Sequence, residues 1–132
     1  MKDARGTVRK DTTMKYLLLI YENEASLAGI SEAEQGKIFQ EYMDYTKRIR
    51  KDGNYVAGEA LEPVATATTV RVKNGKTLTT DGPFAETREQ LGGFYLVEAK
   101  DLDEAVKLAA GIPAVRTGSI EVRPIMPTPL PD

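Results

Sequence analysis

The sequence contains neither cysteine nor histidine among its 132 residues. Without cysteine no disulfide can form, and nothing indicates an oxidising, secreted environment. The two absences together exclude thiol nucleophiles, histidine general bases and the usual zinc sites within one chain. Any catalysis therefore has to use carboxylates, tyrosine, lysine, arginine, hydroxyls or the backbone. We expect no metal and no cofactor.

Long apolar segments and an excess of basic residues are also lacking. The longest apolar run is Tyr16 to Tyr21, well short of the about 20 residues that a membrane-spanning helix needs, so we expect a buried strand there. The net charge of −2 argues against nucleic-acid binding, which favours a basic stripe. We expect a cytoplasmic protein that binds neither nucleic acid nor a membrane.

The length and the hydrophobic fraction of 41% fit one folded domain. Residues 1–13 contain basic residues but no apolar segment of the kind found in secretory signals, and we predict a flexible N-terminal extension. The domain is predicted over residues 14–126. Three prolines in residues 127–132 predict an extended C-terminal tail.

The first half of the domain predicts a strand, a helix and a second strand. Residues 15–22 are nearly all apolar and predict a strand buried on both faces. Ser31, with Glu34 three residues later, forms a capping box. The helix that it starts has an apolar stripe with helical spacing and ends at Asp52-Gly53. Residues 54–61 predict the second strand.

A β-hairpin is the clearest local signal that follows. Asn74-Gly75 lies between β-prone residues 66–72 and 76–80, and both turn residues tolerate positive φ. We expect this hairpin at the edge of the sheet, or covering another surface with one face. Residues 86–90 predict one helical turn.

The second half predicts a strand at residues 92–99, a helix capped by Asp101, and a last strand at residues 119–125. The fold class is therefore α+β, a ferredoxin-like βαββαβ pattern with the hairpin inserted between the halves. Both sides of the first strand are apolar and cannot both face water. We therefore predict a homodimer in which a second copy covers the bare sheet face.

Several segments, spread over about residues 14–126, resemble the DGPF branch of the YCII-related family. The central match is Asp81-Gly82-Pro83-Phe84 within residues 80–87; others are residues 14–21, 58–61 and 118–125. The resemblance implies a dimeric α+β barrel, an architecture shared with muconolactone isomerase-like enzymes and small monooxygenases. It also implies an association with extracytoplasmic-function sigma factors. The His–Asp pair proposed for the broader family has no counterpart in a chain without histidine.

Asp81 is the candidate catalytic residue, as a general base or ligand acceptor beside glycines that permit close approach of a ligand. Its alternative role is an Asx turn within its own loop. Phe84 either lines a pocket or packs its loop onto the core. The arginines suit a carboxylate ligand, or form surface ion pairs. The candidate ligand-binding residues are Tyr21, Glu59, Phe84, Glu86, Arg88, Arg116 and Arg123.

Two functions remain open. The first is a small-molecule enzyme that uses an Asp/Arg-lined cleft of the dimeric barrel and has a carboxylate of raised pKa in a concave site. The second is a non-catalytic ligand-binding or accessory module linked to a sigma factor. A purely structural role is less favoured, because loops rich in glycine, proline and charge commonly carry function.

Overall fold

The computed structural model describes residues 13–129. Residues 1–12 and 130–132, which include most of the predicted extension and part of the predicted tail, lie outside them. The elements are β1 (Met14–Glu22), α1 (Glu24–Ala28), α2 (Glu32–Lys51), β2 (Tyr55–Ala60), β3 (Thr68–Lys73), β4 (Lys76–Asp81), β5 (Gln90–Ala99), α3 (Leu102–Ala110) and β6 (Ser119–Pro124), with 3₁₀ turns at Val64–Thr66 and Pro113–Arg116.

Four strands form one antiparallel sheet in the order β2-β5-β1-β6. Leu18 in the central strand faces Tyr95 of β5 on one side and Val122 of β6 on the other. This order, with one helix after β1 and one after β5, confirms the predicted ferredoxin-like α+β fold.

The two long helices begin where their caps predict. The Ser31 hydroxyl accepts a hydrogen bond from the Glu34 amide at 3.1 Å, and the Asp101 carboxylate accepts one from the Glu104 amide at 2.9 Å. These bonds satisfy amides that have no partner within the helix. After α2, Gly53 has φ of +82°, the left-handed conformation that glycine adopts readily.

The core lies between the helices and one face of the sheet. Leu18 has no exposed surface, and it belongs to the same buried cluster as Tyr45 and Ile49 of α2 and Ala105 of α3. Tyr45 also donates its hydroxyl proton to the Leu108 carbonyl at 2.7 Å. A buried tyrosine therefore joins the two helices without leaving its polar atom unsatisfied.

The opposite sheet face has an apolar patch that is only half-buried within one protomer. Leu17 and Leu19 of β1 lie beside Leu96 and Phe94 of β5 on this face. We call these four residues the open sheet face. Because it lies opposite both helices, the chain as described leaves it without a covering layer.

The hairpin β3–β4 forms a separate two-stranded sheet. Asn74 and Gly75 have φ of +52° and +78°, the positive values of the predicted turn. The hairpin does not pair with an edge of the main sheet, and it exposes 60% of Val70 and 69% of Val72.

The predicted helical turn at residues 86–90 is wrong. The segment bends and then enters β5 at Gln90, which pairs with Glu22. The Thr87 hydroxyl donates to the Glu89 carbonyl, and the Gln90 side-chain amide donates to the Thr87 carbonyl. These side-chain bonds compete with helical backbone bonds. The sequence analysis also missed α1, which Asn23 caps by accepting from the Ser26 amide at 3.1 Å.

Candidate functional site

One end of the sheet gathers most of the predicted site residues. β1 and β2 finish at this end, whereas β5 and β6 begin there, because neighbouring strands are antiparallel. Tyr21 and Glu59 therefore lie near the ends of their strands, and the loop from Asp81 to Gln90 enters the sheet beside them. We call this region the loop end of the sheet.

An open depression of about 630 Å³ lies at the loop end. Its volume is within the range of small-molecule sites. Of the predicted residues, Tyr21 and Arg88 line it. The other lining residues are Thr87, Glu89, Ser119, Ile120 and Glu121.

Three side chains form a polar series at this depression. The Tyr21 hydroxyl donates to Glu121 Oε1 at 3.2 Å, and the Arg123 guanidinium donates to Glu121 Oε2. Arg123 lowers the pKa of Glu121, which therefore stays ionised. Burial and then the hydrogen bond and charge of Glu121 raise the pKa of Tyr21. Tyr21 is therefore a neutral phenol at neutral pH, able to donate a proton or a hydrogen bond.

Glu22 is a functional candidate that the sequence analysis missed. Burial, followed by the charge of Glu89, raises the pKa of its carboxyl, although a hydrogen bond with Thr117 acts in the opposite direction. A carboxyl with a raised pKa is a candidate for general acid–base chemistry. The available signal was its position in β1: Glu22 continues the core-facing alternation of Leu18 and Ile20.

The β5 and β6 starts are joined across the depression. The Ser119 hydroxyl donates to Glu89 Oε1 at 2.8 Å. Neither residue was a sequence candidate, because a serine and a glutamate 30 positions apart form no local motif. Their bond positions Glu89 beside both the depression and Glu22.

Asp81 ends β4, opposite Thr68, and its side chain is exposed. Two hydrogen bonds of Gly82 hold the loop that follows Asp81. The Gly82 amide donates to the Ala67 carbonyl at 2.7 Å, and the Gly82 carbonyl accepts from the Thr69 hydroxyl at 2.9 Å. Gly82 has φ of +108°, which requires glycine. Within residues 13–129 the Asp81 carboxylate makes no hydrogen bond, so the Asx turn is not observed.

Phe84 does not pack its loop onto the core. Its side chain is 77% exposed, and the Arg71 guanidinium of β3 lies over its ring, 5.4 Å from the centroid. The loop therefore presents an aromatic ring beside a cation at the surface. Glu86 is exposed two residues further along.

Arg116 lies away from this group. Its guanidinium forms a bidentate pair with Glu41 of α2, at 2.9 and 2.7 Å. Both residues line a second cavity, of about 340 Å³, between α2 and the residues after α3. Glu59 lies opposite Phe94, on the β2 side of the sheet. Neither Glu59 nor Glu86 pairs with an arginine in the described part of the chain.

The described residues contain no group of three or more carboxylates arranged to hold a metal ion. No helix between residues 13 and 129 is both long enough and apolar enough to cross a membrane.

A ferredoxin-like α+β domain with a small-molecule-sized depression beside its central strand is the class that this fold and site define. The chain belongs to the YCII-related family, whose domain model matches residues 14–129. It is also similar to a protein of Rhizobium meliloti (strain 1021) named "Uncharacterized protein R00369". The two are 36% identical over 114 residues, which cover 85% of this chain and 92% of that protein.

Proposed function

We propose that this YCII-related protein is an enzyme that transfers protons on a small polar molecule bound at the loop end. The observation that carries the proposal is a depression at the end of β1 that a neutral tyrosine lines, with a carboxyl of raised pKa at the next position in the chain. Tyr21 lines the depression, and Glu22 follows it in the chain on the core-facing side of β1. Glu89 lines the depression, and its charge acts on Glu22. Such a set supplies a proton donor and a proton acceptor without histidine.

The residues have separate roles in this proposal. Arg88 binds an anionic group of the ligand, since its planar guanidinium suits a carboxylate. Tyr21 donates to a ligand oxygen that gains negative charge. Glu22 accepts the proton, and Asp81 at the base of the hairpin is a second candidate for that role. Glu121 and Arg123 orient Tyr21.

The proposal includes a cytoplasmic homodimer that forms the barrel. Its support is the open sheet face, where Leu17, Leu19, Phe94 and Leu96 are only half-buried in one protomer. A second copy packed on this face removes apolar surface from water, each Å² contributing about 25 cal/mol. The depression then becomes part of a closed cleft, in which charges interact more strongly than in water.

A turnover screen tests the enzymatic proposal. The full chain is incubated with a panel of small carboxylic acids and lactones, and any substrate found is assayed with Glu22→Gln, Tyr21→Phe and Asp81→Asn. We expect Glu22→Gln to lower kcat by about 10²-fold or more, as for other general bases. Glu41→Gln, in the second cavity, is the control and should keep kcat. Equal kcat in Glu22→Gln, Asp81→Asn and the wild type contradicts the proposed roles.

The second candidate is a non-catalytic ligand-binding or accessory module that acts with a sigma factor. The specific observation in its favour is the absence of histidine from the chain, which removes the pair proposed for related proteins. Binding of a panel compound without turnover, together with co-purification of a sigma factor, supports it. Turnover that depends on Glu22 excludes it.

A further inference from the structure

We propose that Arg71 and Phe84 form a platform for a planar organic anion, such as an aromatic or conjugated carboxylate. The inference rests on the proposed function, because it names the class of ligand that the loop end receives. Both residues belong to the hairpin and the loop after it, outside the depression described above.

The Phe84 ring is exposed, but the loop that carries it is anchored. Gly82, two residues before it, bonds through both its amide and its carbonyl to the hairpin, at 2.7 and 2.9 Å. Arg71 then lies over the ring at 5.4 Å from its centroid. The ring therefore stays exposed at the surface in a fixed position, where a ligand can contact it without a large ordering cost.

The lack of an acidic partner in the described part of the chain distinguishes Arg71 and Arg88 from Arg116 and Arg123. Arg116 is paired with Glu41, and Arg123 is paired with Glu121. Within the described residues no carboxylate pairs with Arg71 or Arg88. Their guanidinium donors are therefore available to an anion from solution.

Arg71 lies on the hairpin, and Arg88 lies on the loop that leads from the hairpin to β5. Phe84 and Arg88 are four residues apart, and an extended chain spans at most about 3.6 Å per residue, which limits their Cα separation to about 14 Å. The Phe84 Cα atom therefore lies within about 14 Å of the Cα atom of Arg88, which lines the depression.

The chemistry of the platform favours a ligand that is both planar and anionic. The face of Phe84 attracts flat apolar groups and ring edges. The Arg71 fork, placed over that ring, offers N–H donors that match a carboxylate. A neutral ring lacks the ion pair, and a puckered anion lacks the stacking contact.

A titration of the full chain with benzoate, monitored by the backbone amide chemical shifts in NMR, tests the inference. Cyclohexanecarboxylate and benzyl alcohol are the puckered-anion and neutral-ring comparisons, and both should bind more weakly than benzoate. We expect Arg71→Gln to raise the benzoate Kd about tenfold, from the loss of a charge-assisted contact. Phe84→Leu, which keeps an apolar side chain, should raise it roughly threefold. Arg50→Gln is the matched control, because Arg50 lies over the Tyr55 ring at 4.6 Å, where β2 starts and therefore away from the loop end.

The outcomes separate this inference from the proposed function. Benzoate shifts at Tyr21 and Ser119 with an unchanged Kd in Arg71→Gln and Phe84→Leu overturn the platform and leave the proposed function standing. A raised Kd in both variants, together with unchanged turnover in Glu22→Gln and Asp81→Asn, supports the platform and removes the enzymatic proposal. Dissociation of a dimer by Phe84→Leu, with no change in Kd, makes Phe84 an interface residue and overturns the platform.

Discussion

Replacing Gly118 by alanine should destabilise the protein and disturb the loop end. Gly118 precedes β6, and a Cβ atom added there overlaps the Tyr21 carbonyl oxygen and comes within 2.9 Å of Glu22 Cγ. The Tyr21 carbonyl is part of the backbone and cannot rotate away as a flexible side chain can. The clash is therefore relieved only if β1 and β6 move apart. Overpacking of this kind costs about 1–3 kcal/mol. With a urea m-value of about 2 kcal/mol/M, the midpoint should fall by roughly 0.5–1.5 M.

Gly36→Ala is the matched control. Gly36 is exposed within α2, and an added Cβ meets no atom within 4 Å. Alanine in a helix interior is favoured over glycine by about 0.5–1 kcal/mol, so the same chemical change should raise the urea midpoint. Urea unfolding followed by circular dichroism measures both. A Gly118→Ala midpoint equal to or above the wild type refutes the close packing of β6 against the end of β1.

The remaining predictions concern the core and the missed carboxyl. Leu18→Ala should lower the free energy of unfolding by about 2–5 kcal/mol, because Leu18 is fully buried; a loss below 1 kcal/mol in urea unfolding contradicts its central place. Tyr45→Phe should lower it by about 1 kcal/mol through loss of the bond to Leu108, and unchanged stability argues against that bond. Glu22→Gln should become more stable relative to the wild type as the pH rises above 4.5, because the folded wild type binds the proton more tightly than the unfolded chain. Parallel stability profiles of the two proteins between pH 4 and 8 contradict the raised pKa.

Much of the fold follows from local signals in the sequence. Ser31 and Asp101 mark the helix starts, and Asn74-Gly75 marks the hairpin. Each of these features depends on residues close in sequence. The pairing order of the sheet then follows from the known ferredoxin-like pattern.

Long-range contacts account for what the sequence could not predict. Ser119 and Glu89 meet only because β5 and β6 start at the same end of the sheet. The partner of Arg116 is Glu41, 75 positions away on α2, so its helix-side position was not predictable from either segment alone. The short helix α1 was missed because five residues carry too little periodicity.

The residues of the predicted site differ in how closely the fold brings them to the depression. Tyr21 and Arg88 line it, and Arg123 reaches it through Glu121. Asp81 and Phe84 belong to the hairpin and its loop. Glu22 was not predicted, because the raised pKa of its carboxyl depends on burial by the folded chain.

Measurement of the Glu22 pKa by carbon-detected NMR, with Glu22→Gln used to assign the resonance, tests the central claim most directly. We predict a midpoint above 4.5 in the folded protein, together with a shift of the Tyr42 ring signals as Glu22, whose charge acts on Tyr42, ionises. A midpoint at or below 4.5 contradicts the claim that the end of β1 is built for proton transfer.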